Sequence, residues 1–174
     1  VNALDDYREI WNLVFIQYNR DNNGVLHDLP LKHVDTGAGF ERLVAILNDK
    51  DSNYDTDLFM PIIQKIIDIS KLDYSYENGV PHRVIADHIR MLSFSIADGV
   101  MPANEGRGYV IRRVLRRACR FGRVLNIKTA FLYKLVDSII ENLGDAFPEL
   151  IEKKEHIIKV IEAEEISFGK TLDR

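Results

Sequence analysis

Val34-Asp35-Thr36-Gly37-Ala38-Gly39-Phe40-Glu41-Arg42-Leu43 is the stretch at which this chain passes from strand-like to helix-like sequence. A short extended run, about residues 31–35, leads into two glycines, and residues 40–48 read as a first helix. Gly37 and Gly39 let the backbone approach a ligand with no Cβ in the way. A helix start adds unpaired N–H groups and a positive dipole end, which suit a phosphate or carboxylate. Arg42 follows, a planar cation able to pair with phosphate or stack on a purine. Asp35 stands just ahead, an anion able to hold a ligand ammonium. Both signs of charge around close-approach backbone fit a zwitterion or a nucleotide. The spacing is neither G-x-G-x-x-G nor a P-loop, and a plain strand-to-helix turn carrying charges would use the same residues.

Upstream, residues 9–19 are rich in β-branched and aromatic types and read as a strand. Asp21-Asn22-Asn23-Gly24 is a hairpin turn, and residues 25–29 return antiparallel, ending at Pro30. Strands this few do not make a stable sheet, so further strands are expected before Val1. Downstream the chain is helical. Helices are expected over residues 55–70, 82–97, 109–124, 128–143 and from Pro148 onward. The expected fold class is α+β and mostly α: a piece of antiparallel sheet within residues 1–53, then a helical bundle over 54–174. No internal repeat or low-complexity stretch is present.

Bulk properties narrow the classes. With 174 residues, 46% hydrophobic and 29% charged, the composition is that of an ordinary globular protein. No apolar run reaches the ~18 residues of a membrane span, and no secretory leader opens the chain. Cys119 is the single cysteine, which excludes an internal disulfide and a cysteine-based zinc site and is compatible with a cytoplasmic home. The first residue is Val, so the sequence is expected to be part of something longer.

A net charge of −4 argues against indiscriminate coating of nucleic acid, but the charge is sorted along the chain. Residues 107–123 hold seven arginines and no acid, whereas residues 141–165 lean acidic. Arg112, Arg113, Arg116, Arg117 and Arg120 fall at i, i+1, i+4, i+5 and i+8, one stripe on a helix, with Val110, Ile111, Val114, Leu115 and Ala118 on the apolar face. Like charges at that spacing repel and need compensation. Nucleic-acid phosphates would supply it. Acids on neighbouring helices would too, with Glu141, Glu149 or Glu152 available. Asn104, in the polar loop just before the stripe, carries an amide able to read base edges; otherwise it caps the following helix.

Five segments taken together resemble alanyl-tRNA synthetases, a class II aminoacyl-tRNA synthetase family: residues 9–15, 34–42, 52–59, 83–90 and 98–113. They cover essentially the whole chain, in order and with ordinary gaps. The resemblance implies ATP-dependent activation of alanine to alanyl-adenylate and transfer to tRNA(Ala), on an active site built over an antiparallel sheet. The segment from Gly37 to Arg42 matches the third class motif. By that match Arg42 contacts adenine and the γ-phosphate, and Gly39 lies under the nucleotide. Asp35 matches the acid that holds the alanine ammonium, with Gly37 beside it, and Asn12 a residue near the amino acid's carboxylate. The helical part matches the region that grips the tRNA acceptor stem, where a G·U wobble pair marks alanine tRNA. Asn104 matches the asparagine approaching that pair, and Arg107, Arg113, Arg116 and Arg117 would clamp the backbone. ATP brings Mg2+, whose usual ligands are not identifiable here.

The first and second class motifs have no match and would precede Val1. The zinc-bound editing domain of the family is absent, since His82 and His88 do not supply its ligand pattern and read as ordinary helix residues. The second reader of the wobble pair would lie beyond Arg174. The chain is therefore expected to be an internal fragment that does not activate alanine alone. The rival readings are a non-catalytic RNA-binding helical module and a protein-interaction domain whose arginines pair internally.

Overall fold

The structure is a computed structural model that describes residues 7–172. By backbone contacts the chain divides into two units, Val1–Thr56 and Asp57–Arg174.

In the first unit, β1 (Trp11–Arg20) pairs antiparallel with β2 (Leu26–Ala38) in a two-stranded sheet. The turn between them closes as its residues dictate. Asp21 accepts at Oδ1 from the amides of Asn23 and Val25, both at 2.9 Å, and the Gly24 amide donates to the Asp21 carbonyl at 3.0 Å. The two return strands expected around Pro30 are a single strand. Its register slips there: Ile16 faces His33 and Tyr18 faces Asp28, so residues 29–32 oppose Gln17 alone. Proline has no N–H to offer a ladder, and a bulge is where a strand tolerates it. Both faces of the hairpin are uncovered: on one, Trp11, Leu13, Phe15 and Val34 are each about 60–66% exposed, and on the other Val14 and Ile16 are 46% and 39% exposed. Helix α1 (Phe40–Leu47) follows, and Ser52 then caps a 3₁₀ turn at Asn53–Asp55 through the Tyr54 amide.

The second unit is helical: α2 (Met60–Ser70), α3 (Val80–Ala97), α4 (Gly106–Val124), α5 (Val136–Leu143), α6 (Pro148–Glu152) and α7 (Lys154–Leu172). Apolar residues at three- and four-residue steps fill the core, with Ile62, Ile63 and Ile66 from α2, Ile85, Ile89, Leu92 and Ile96 from α3, Leu115 and Ala118 from α4, and Ile157 and Ile161 from α7. Helices α3 and α4 begin two and three residues earlier than expected, and three larger differences have a physical cause. The helix expected from residue 55 begins at Met60, because Pro61 belongs in a first turn and would clash inside a running helix. The helix expected over 128–143 is a 3₁₀ turn at Leu132–Leu135 followed by α5. The buried Glu165 carboxylate causes this, accepting from the amides of Phe131 and Leu132, each at 3.0 Å. The last helix breaks at Lys153, whose ammonium donates to the Ala97 carbonyl at the end of α3.

The loop before α4 is seated directly on that helix. The Ala103 amide donates to the Gly108 carbonyl at 3.0 Å, and a Cβ at Gly108 would lie 2.3 Å from the Met101 carbonyl oxygen and 2.6 Å from the Ala103 methyl. Only a glycine admits the loop this closely, and the contact fixes where Asn104 stands.

Candidate functional site

In the hairpin, Asn12 lies directly opposite Gly37, and Val14 opposite Asp35. Opposed residues of an antiparallel pair share a face, and so do residues two apart on one strand. Asn12, Asp35 and Gly37 therefore sit on one face of the sheet, with nothing within 4 Å of the place a Gly37 Cβ would occupy. Trp11 and Thr36 belong to the other face, tied by an indole N–H to the Thr36 hydroxyl at 2.5 Å.

The chain then turns into α1. The Gly39 amide donates to the Ile10 carbonyl at 2.9 Å, and Gly39 is the N-cap, with no side chain capping the helix. A Cβ at Gly39 would lie 3.0 Å from Cδ of Arg42, so the Arg42 stem folds back over the glycine. The guanidinium donates to the Glu9 carbonyl at 2.7 Å while the residue stays exposed. That tether aims the remaining N–H groups and gives glycine a second purpose here, namely room for the arginine.

In the helical unit the arginine stripe borders a half-open groove of about 620 Å³ on α4 and α3. Its lining includes Arg112, Arg113, Arg116, Arg117 and Arg120, with Tyr109 and His88. Arg113, Arg117 and Arg120 are exposed, and their guanidiniums lie over the rings of Tyr109, Phe121 and Phe168 at 5.7, 5.8 and 6.0 Å. Arg112 and Arg116 are held inward by Glu164 of α7: Arg112 NH2 donates to Oε2 at 3.2 Å and Arg116 Nε to Oε1 at 3.1 Å. Part of the repulsion in the stripe is thus cancelled within the protein, by Glu164 rather than by Glu141, Glu149 or Glu152. Arg107 is exposed in the first turn of α4 and is not among the lining residues of the groove.

Asn104 does not cap α4, since Glu105 occupies the N-cap position without a side-chain bond. Its Oδ1 accepts from Arg112 NH1 instead. At the groove, His88 Nδ1 is 3.5 Å from Asp87 Oδ2, and its buried Nε2 has no hydrogen-bond partner among the described residues. The bond to His88 is the main reason the Asp87 carboxyl is held below its usual range. Burial pushes the Cys119 thiol far above its ordinary value, which removes it as a nucleophile near neutral pH. Among the described residues no three His, Cys, Asp or Glu side chains are grouped to hold a metal ion, and no helix is long and apolar enough to cross a membrane.

A family model described as tRNA synthetases class II (A) matches residues 2–174. The chain belongs to this family. Among relatives of this class II synthetase chain, the alanine–tRNA ligase of Chlorobium chlorochromatii (strain CaD3) is 52% identical over 177 residues, covering 98% of this chain and 20% of the relative. Alanine–tRNA ligases of Fervidobacterium nodosum (50% over 175 residues, 99% of this chain and 20% of the relative) and Bacteroides fragilis strain YCH46 (54% over 168 residues, 95% and 19%) are similar to it as well. The chain spans about a fifth of the length of the curated relatives it matches.

Sequence reasoning about this synthetase chain missed Glu164, Tyr109 and His88. Glu164 lies 48 and 52 residues from the arginines it binds, a separation that no local spacing reveals.

Proposed function

We propose that this chain carries two working parts of an alanine–tRNA ligase: a portion of the aminoacylation site in residues 1–53 and the clamp for the tRNA acceptor stem in 54–174. The parent reaction has two steps. Alanine attacks the α-phosphate of ATP, giving alanyl-adenylate and pyrophosphate, and a terminal ribose hydroxyl of the tRNA then takes the alanyl group. Work of this kind is chiefly positioning and charge stabilisation. Asp35 holds the alanine ammonium, with Asn12 and Gly37 on the same face beside the carboxylate. Arg42 meets adenine and the γ-phosphate over Gly39. Magnesium accompanies ATP, and among the described residues no three His, Cys, Asp or Glu side chains are grouped to bind it. The cytoplasm is the setting that fits this reading.

In the helical unit Arg113 and Arg117 contact phosphates, Arg107 extends the contact at the start of α4, and Arg116, shared with Glu164, shapes the groove as much as it binds. Asn104 reads a base edge at the G·U pair. The observation that supports the clamp best is the groove of about 620 Å³ bordered by five arginines. Counterion release gives a direct test, because RNA binding must weaken steeply as salt rises. An internally paired interaction domain, the reading that Glu164 favours, would bind no RNA at any salt. The isolated chain is expected to show no ATP–pyrophosphate exchange, and measurable exchange would contradict its assignment as an incomplete site.

A further inference from the structure

Arg112 is held at both ends of its guanidinium. Glu164 occupies one side, with Oε2 3.2 Å from NH2 and Oε1 3.1 Å from Nε. On the other side NH1 donates to Oδ1 of Asn104. Glu164 is well placed to anchor this chain, with only 10% of its side chain exposed. Its carboxylate also holds Arg116, so it is fixed between two cations. The backbone of Asn104 is fixed separately, by the fit of residues 101–103 over Gly108.

A guanidinium has donors only, so the amide atom facing it must be the oxygen. The amide is planar, and its nitrogen branches away from Arg112 on a residue that is exposed. We propose that Glu164 and Arg112 are positioning residues that lock the Asn104 amide with its oxygen inward and its NH2 outward, so that this loop meets its ligand as a hydrogen-bond donor. The group it takes is an acceptor on a base edge, a carbonyl oxygen or ring nitrogen, and not an exocyclic amine. Left free, the amide would rotate and offer either group, and its discrimination would fall. This rests on the reading of Asn104 as a base reader.

The test uses this chain and two RNA stem-loops that differ only in one pair, G·U against G·C, with binding measured at several salt concentrations. Asn104→Ala sets the baseline, a loss of about five- to tenfold in discrimination for one base-edge contact. Glu164→Gln and Arg112→Gln are expected to lose discrimination to the same degree. Glu164→Gln must do so without weaker binding of the G·C stem and with a steeper salt dependence, since it releases two arginines. Damage to the fold would instead weaken both stems. Asn104→Asp keeps a partner for Arg112 but presents an acceptor, and is expected to behave like Asn104→Ala.

If Asn104→Ala abolishes discrimination while Glu164→Gln and Arg112→Gln both keep it, the positioning role is wrong and the base reader stands. Discrimination retained by Asn104→Asp overturns the donor assignment. Discrimination unchanged in Asn104→Ala removes the base reader and the inference with it. Circular-dichroism melts accompany each variant, and should Glu164→Gln fail to fold, Arg112→Gln decides alone.

Discussion

Glu165 shows how much one side chain decides. Burial pushes its carboxyl up to about 7 from an ordinary 4.5, against the pull of the two amides it accepts from. Between those values the folded chain holds a proton that the unfolded chain has lost. Its contribution to stability is therefore greatest below about 4.5 and declines as pH rises toward 7. Relative to Glu165→Gln, which does not titrate, the parent chain is expected to lose about 1–3 kcal/mol between pH 5 and pH 7.5 in urea melts. No such relative loss would mean that the Phe131 and Leu132 amides keep the carboxylate ionised throughout. Sequence reading at this scale was uneven, for a physical reason. The closeness of Gly39 and Arg42 was legible, because the arginine stem folds back over a glycine only three residues away. Glu164 and Glu165 were not, because their partners, on α4 and at the start of the 3₁₀ turn, lie more than thirty residues away in sequence.

Among the elements, α4 was the easiest to foresee, since its stripe and its apolar face follow the helical repeat. Its surroundings were harder. The start of α2 turned on Pro61, a residue whose missing N–H marks a first turn. The hairpin's bulge turned on Pro30, which reads as a strand end in sequence and becomes an interior slip once the partner strand is present. The seat of the Asn104 loop depends on Gly108, whose closeness to Met101 and Ala103 no spacing announces. Gly108→Ala must push that loop away from α4. It is expected to cost about 1–3 kcal/mol in thermal melts, as overpacking does, and to reduce G·U selectivity while leaving the exposed arginines in place. Unaltered stability and selectivity would show that the loop adjusts freely.

For the whole molecule, the function proposed above would give the hairpin unit and the helical unit separate tasks. The helical unit has a well-filled core of its own. The hairpin has two strands with apolar residues exposed on both faces, and a two-stranded sheet is marginal in water. Binding by the helical unit is therefore expected to survive Asp35→Asn and Arg42→Gln, substitutions that should not change RNA affinity by more than about twofold, because every residue lining the groove belongs to α3 or α4 and sites with no shared partners act independently. Filter binding with the same stem-loop checks this. A large loss of RNA affinity in either variant would join the two tasks in one site.

In the clamp proposed above, the exposed arginines of α4 seat an RNA stem. The salt dependence of stem-loop binding by the unaltered chain, Arg113→Gln and Arg117→Gln tests this. Affinity is expected to fall steeply with salt, with the slope of log K against log salt reduced by roughly one in each variant. Binding that ignores salt, or slopes unchanged by both substitutions, would contradict it.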